Sequence, residues 1–171
     1  MAWQFLKKLF PGRRHPPAPR LIIYHPVAAG VRMAERKQVL VQEIHVKKLY
    51  SRGTYSVGRG KQAGERSEPP GFSVENNPHT QAIGENHWQF QVDHQLRCWV
   101  KDLGTDEGTK VNGILREGAA LKHGDVITSG AEEAQPKVAV IFDETGELSE
   151  KLSTREEILN YLKQKSLLKG K

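Results

Sequence analysis

The sequence predicts an all-β sandwich of two antiparallel sheets, closed by one C-terminal helix and preceded by a basic N-terminal arm. In "HWQFQV" the apolar Trp88, Phe90 and Val92 alternate with Gln89 and Gln91, the period of a half-buried strand. After the polar turn "DHQ", Leu96, Cys98 and Val100 repeat that alternation, which makes the pair a hairpin. Further strand-like runs, "TKVNGILR", "DVITSG" and "KVAVIFDE", follow at short intervals with turn residues between them, the spacing of a sandwich. The end of the chain changes period. "LSTREEILNYLKQKSLLKGK" pairs Ser153 with Glu156 and Thr154 with Glu157 at capping-box spacing, then sets Ile158, Leu159 and Leu162 along one side of a helix with lysines in its last turns.

Taken in order, the elements divide the chain at 1–37, 38–143 and 144–171. "MAWQFLKKLF" places Trp3, Leu6 and Phe10 about a helical turn apart, with Phe5 and Leu9 adjoining and Lys7 and Lys8 on the other side, before Pro11 and Gly12 stop it. A short aromatic and basic segment of this kind suits a membrane surface or a partner's groove. Ten residues make a marginal helix alone, so the other reading is an unstructured arm or one folded back on its own domain. "PGRRHPPAPR" reads as an extended linker. "LIIYHPVAAG" reads as a short strand that Pro26 restricts to a sheet edge, and whether residues 21–38 join the sandwich or reach toward another molecule stays open. In "QVLVQEIHV" apolar residues fall on both parities, a mixed strand signal, and "KKLYSRGTYSVGRG" reads strand, turn, strand. Residues 60–82, with three prolines and three glycines, read as an extended surface loop.

The composition bounds the function. A chain of 171 residues with 37 % hydrophobic content suits one soluble domain with tails. No run approaches the roughly 18 apolar residues of a membrane span, and the N-terminus lacks the apolar stretch of a secretory signal, so the expected location is cytoplasmic, with the arm allowing peripheral contact with a membrane. Residues 1–40 carry eight Lys and Arg against one Glu, residues 41–150 twelve against seventeen acidic groups, and residues 151–171 six against two. The tails are basic and the middle is acidic, which argues against the domain itself as a reader of nucleic acid.

Catalytic and metal chemistry finds no footing. The single cysteine, Cys98, has no thiol partner and reads as apolar filler in a strand. His87 and Asp93 stand about 20 Å apart along an extended strand, and His94 belongs to a hairpin tip, so neither a metal nor another cofactor is expected. No P-loop, Gly-x-Ser-x-Gly or His-Glu-x-x-His occurs, and the acidic residues of "DLGTDEGT" suit a turn.

"YSVGRG", "ENHWQF", "VKDLGTDEGTKVNG" and "LKHGDVITSG", taken together over roughly residues 38–143, resemble the forkhead-associated (FHA) domain family. The ordered series is what carries the likeness: Gly-Arg closing a strand, a histidine opening the next, Asp-Leu-Gly-Thr with Gly-Thr-x-Val-Asn-Gly, and Leu-x-x-Gly-Asp-x-Ile-x-x-Gly. The resemblance implies a two-sheet sandwich whose loops at one end bind a phosphothreonine peptide. It implies that Arg59 pairs with phosphate, a role suited to the planar fork of guanidinium donors, and that Gly58 lets the backbone turn there. It implies that His87 braces the recognition loop, that Asn86 and Thr105 lie beside the peptide, and that Asn112 and Gly113 form the following turn.

Three positions depart from the family pattern. The phosphate-binding serine and the arginine after it are Gly84 and Glu85, and the expected asparagine is Glu107. Losing a hydroxyl donor to a charged oxygen costs about 1.5–3 kcal/mol. A carboxylate about 6 Å from a doubly charged phosphate adds about 1–2 kcal/mol of repulsion in water. Together they weaken a complex by about 100- to 1000-fold or more. The sequence therefore leads us to expect a non-enzymatic protein-interaction module, an adaptor or assembly subunit, with Arg59 paired internally to Glu85 or Glu107. The alternatives are a signalling receptor for phosphothreonine peptides, in which Asn86, Thr105 or Lys110 supplies the missing donors, an Arg59 that meets an acidic or unmodified partner, and a structural component of a membrane-associated complex.

Overall fold

The computed structural model describes residues 17–32, 37–60, 71–131 and 136–167. Eleven strands among these residues form two sheets. The six-stranded sheet runs in the order β2 (Lys37–Lys48), β1 (Arg20–Arg32), β11 (Ala139–Asp143), β10 (Val126–Ser129), β7 (Thr109–Val111), β8 (Ile114–Arg116). The five-stranded sheet runs β4 (Gly71–Ser73), β3 (Thr54–Gly58), β5 (Trp88–Val92), β6 (Cys98–Asp102), β9 (Gly118–Ala120). All pairings are antiparallel except β3 with β4.

Two apolar layers hold this arrangement. Leu21, Ile23, Val57, Trp88, Phe90, Val100, Ile127 and Val140 fill the space between the sheets. The outer face of the six-stranded sheet is covered in turn: Ile22, Tyr24 and Ile141 pack against Leu152, Ile158 and Leu162. Leu152 follows α1 (Glu147–Lys151), and the other two lie on α2 (Arg155–Leu167). This double cover explains "LIIY" and "AVIF", which lack alternation because both parities are buried. The start of α2 is capped as its sequence suggests at Thr154, whose Oγ1 accepts from the Glu157 N–H at 3.3 Å while Glu157 Oε2 accepts from the Thr154 N–H at 2.9 Å.

Several expectations change. The sheet begins at Arg20, inside the segment expected as an arm up to residue 37, and β1 lies between β2 and β11 rather than at an edge. Pro26 is accommodated because pairing with β11 ends at Tyr24, so beyond it β1 has only β2 as a neighbour. The second half of the expected surface loop is built into the fold: residues 71–73 are β4, Pro78–Thr80 form a 3-10 turn capped by Asn77, and Val74, Asn77, Thr80 and Ile83 are buried. Residues 1–16, with Trp3, Phe5, Leu6, Lys7, Lys8 and Phe10, lie outside the described residues.

Candidate functional site

The antiparallel register gathers three loops at one end. Val57 of β3 pairs with Trp88 of β5, and Trp88 pairs with Asp102 of β6. The end of β3, the start of β5 and the end of β6 therefore lie side by side. They carry Gly58–Gly60, Gly84–His87 and Leu103–Gly108.

Arg59 is held by neutral acceptors. Its Nε donates to the Ile83 carbonyl at 2.7 Å, and its Nη1 donates to Asn76 Oδ1 at 3.2 Å and to Gln81 Oε1 at 3.1 Å. The expected internal salt bridge is not formed: among the described residues, neither Glu85 nor Glu107 pairs with Arg59. The backbone explains part of this. Arg59 N–H donates to the Gly84 carbonyl at 2.9 Å and Gly60 N–H to the Glu85 carbonyl at 2.8 Å, so Glu85 is tied to this edge through its main chain while its side chain is exposed. The guanidinium is oriented and its charge is uncompensated by a carboxylate among those residues.

A buried histidine joins the other two loops. His87 is fully buried; its Nδ1 accepts from the Gly84 N–H at 2.9 Å, which places the ring proton on Nε2, 3.0 Å from the Gly108 carbonyl and 3.2 Å from Thr105 Oγ1. Burial lowers its pKa, against the opposing pull of the Gly108 carbonyl and of Asp102. With both nitrogens engaged, this imidazole is a brace and not a proton carrier. Asp102 completes the unit: Oδ2 accepts from the N–H groups of Gly104 and Thr105, both at 2.9 Å, and Oδ1 accepts from the hydroxyls of Thr105 at 2.9 Å and Thr109 at 2.7 Å. Burial opposes ionisation of Asp102, but these donors, Thr109 foremost, outweigh it and hold its pKa below the usual carboxylate range. Thr109 Oγ1 also accepts from buried Trp88 Nε1 at 2.9 Å, which anchors the loop in the core.

The glycines are explained by close approach. A Cβ on Gly58 would run into the Glu85 carbonyl and lie 2.9 Å from Asn86 Cα, both backbone atoms. The backbone of Gly58 is ordinary strand, so proximity to the Glu85–Asn86 backbone and not a turn requires glycine there. At Gly84 a Cβ would sit 2.9 Å from the Thr105 methyl.

The remaining expected residues divide. Asn86 and Glu107 are exposed on the loops with Glu85. Asn112 and Gly113, with φ of 51° and 72°, make the tight turn between β7 and β8, and the Asn112 side chain bonds Asp125 Oδ1 at 2.7 Å and the Val126 N–H at 3.0 Å. Lys110 is set apart from the three loops: it lies on β7 between Thr109 and Val111, whose side chains are buried, so strand alternation points it to the opposite face. Sequence reasoning missed Asn76, Gln81 and the Ile83 carbonyl, and it took Asp102 for a turn residue only. For Asp102 the signal was present in Asp-Leu-Gly-Thr, an acceptor followed closely by backbone donors. A groove of about 450 Å³ adjoins the loops, lined by Lys101, Thr105, Gly108, Leu115 and Arg116. Leu115 contributes an exposed apolar surface there. Among the described residues no cluster of His, Cys, Asp and Glu is arranged to hold a metal ion. Cys98 is buried, which pushes its thiol up to about 12.

Residues 55–130 match the family model described as the FHA domain. The chain carries an FHA domain. Among solved structures, full-length yeast Pml1p is similar at 20 % identity with a TM-score of 0.50, over 82 % of this chain and 90 % of that one. A second structure of the yeast Pml1 splicing factor, described with its integration into the RES complex, is also 20 % identical with a TM-score of 0.50, over 82 % and 88 % of the two chains. The N-terminal FHA domain of Rad53p from S. cerevisiae, in complex with a phosphothreonine peptide, is 14 % identical with a TM-score of 0.48, over 78 % and 98 %. In a comparison with curated proteins, none matches the chain. FHA domains are protein-interaction modules and not enzymes, and here the loop end of the FHA domain is the part built around Arg59, His87 and Asp102. Among the described residues no helix is long and apolar enough to cross a membrane.

Proposed function

We propose that this chain is a non-enzymatic adaptor or assembly subunit that docks a partner protein through the loop end of its FHA domain without requiring a phosphorylated threonine. The observation that supports it is the donor set at the rim. Arg59 supplies an oriented cation, yet Gly84 has no side chain and the Thr105 hydroxyl is spent on Asp102. A doubly charged phosphate ester needs more donors than one guanidinium provides, whereas the single charge of an aspartate or glutamate side chain fits it. The adjoining groove adds apolar contact at Leu115.

Calorimetry of the full chain against three matched peptide libraries, with a central Thr, phosphothreonine or Glu, tests this reading. The Glu library binds at least as tightly as the phosphothreonine library, and Arg59→Glu abolishes binding. Phosphothreonine binding about 100-fold tighter than Glu, lost in Arg59→Ala, establishes the phosphopeptide-receptor reading instead. That second reading draws on the same fact that Arg59 is unpaired with Glu85 and Glu107. The location of this reading is cytoplasmic, with residues 1–16 adding a second attachment at a membrane surface or on the partner. Co-sedimentation with anionic vesicles drops when residues 1–16 are removed; equal sedimentation of the two forms removes the membrane attachment.

A further inference from the structure

Where β1 runs past β11, it meets the segment that supports Arg59, and a histidine stands at the contact. His25 of β1 is 5 % exposed, and its Nδ1 is buried with no hydrogen-bond partner among the described residues. Its ring meets Phe72 of β4 edge-on at 5.0 Å, and His45 of β2 stacks on the same phenyl ring at 4.5 Å. The charged and titratable groups facing it are Glu43 and His45 from β2 and Glu75 from the segment after β4. Burial, helped by His45, outweighs both carboxylates and the Pro26 carbonyl and holds its pKa below the ordinary imidazole value.

The same contact continues toward the site. The Ala28 N–H donates to both Glu75 carboxylate oxygens, at 3.0 and 3.1 Å, and Asn77 Nδ2 donates to the Pro26 carbonyl at 3.0 Å. Between them sits Asn76, whose Oδ1 accepts from Arg59 and from Gln81. The segment that clasps β1 is thus the one that aims the guanidinium.

We propose that His25 is a proton-operated latch on the loop end: its protonation releases residues 72–77 from β1 and, with them, the Asn76 acceptor that orients Arg59. Its regulatory meaning rests on the reading of Arg59 as the docking anchor, while the latch itself is a property of the chain alone. The imidazolium carries an N–H on both nitrogens; Nδ1 makes no hydrogen bond in the closed contact, and the Pro26 carbonyl, which favours the charged ring, already accepts from Asn77 Nδ2. Parting Phe72 from the ring lets water take that proton's hydrogen bond. The open form binds one proton more than the closed form, so each unit of acidification below pH ~6.5 multiplies the open fraction by about ten until the lowered pKa is reached.

A pH titration of the full chain by nuclear magnetic resonance, from about pH 7.5 to 5, follows the His25 ring, the Ala28 amide and Arg59 Nε–H. After division by the intrinsic exchange rate, which itself slows as the solution is acidified, the opening at the Ala28 and Arg59 protons rises about tenfold per pH unit below pH ~6.5 and levels off at the lowered pKa of the His25 ring. His25→Phe abolishes both responses while the Gly84 amide, which reports on His87, keeps its own; His25→Gln serves where the phenylalanine variant fails to fold. A His25 ring that titrates without change at Ala28 and Arg59, or that stays neutral over the whole range, overturns the latch, as does an acid response that survives in the folded variant. Failure of every peptide library leaves this titration untouched, so the docking reading and the latch fall separately.

Discussion

Gly84 and Thr105 are matched across the loop end, and the match has a measurable consequence. A side chain at 84 meets the Thr105 methyl at 2.9 Å, and that methyl has nowhere convenient to rotate, because the Thr105 hydroxyl is fixed on Asp102 at 2.9 Å and faces His87 at 3.2 Å. Turning the methyl away breaks both polar contacts. Gly84→Ser alone therefore destabilises the fold by about 1–3 kcal/mol, the usual cost of overpacking. Thr105→Ser keeps the hydroxyl and removes the methyl, so in its background Gly84→Ser costs less than about 1 kcal/mol. Chemical denaturation of the two single variants and the double variant checks this, and strictly additive losses contradict it. The absence of a serine at 84 is thus a packed arrangement and not a simple deletion. Its partner in that arrangement was invisible in the sequence, since 21 positions separate the two residues and only the register of β5 on β6 brings their loops together.

At the scale of elements, what could be read was what local periodicity records. The hairpin of β5 and β6 announces itself because one face is buried and the other wet, and α2 announces itself through its cap and apolar side. The first strand was harder. "LIIY" is apolar on both parities because α2 covers the outer face of its sheet, and a run of that kind fixes neither face nor position. Pro26 then suggested an edge, although the residues before it are central and only those after it have a single neighbour. β4 was lost within a Pro- and Gly-rich stretch: its three residues pair parallel to β3, and no turn signal marks a parallel partner. The Asn77 cap could have been found, because Asn-Pro-x-Thr places a capping side chain before proline and a hydroxyl at the third position. Asn76 and Gln81 had no such signal; they become ligands of Arg59 only once that cap folds the segment back.

For the molecule as a whole, the consequence of burying two histidines is a stability that depends on mild acid. His25 and His87 both have pKa values lowered chiefly by burial, whereas in the unfolded chain each takes up a proton near pH ~6.5. Between that value and the lowered ones the unfolded chain binds more protons than the folded one, so stability rises with pH across this window. The contribution is fully present above about pH 7 and is lost as pH falls. Each histidine contributes a slope of up to about 1.4 kcal/mol per pH unit, and the two together up to about 2.7. Asp102 acts in the same direction but lower: its depressed pKa gives a contribution that is present above about pH 4 and fades only below it. Thermal melts at fixed ionic strength are flat above about pH 7, fall as the pH drops below about 6.5 towards the lowered histidine values, and fall again in stronger acid. His25→Phe removes one of the two titrating groups and reduces the slope in the first window by about half. A melting temperature that stays level from neutral pH down to about 5, or a slope unchanged by that substitution, shows that the two buried rings do not control the acid response.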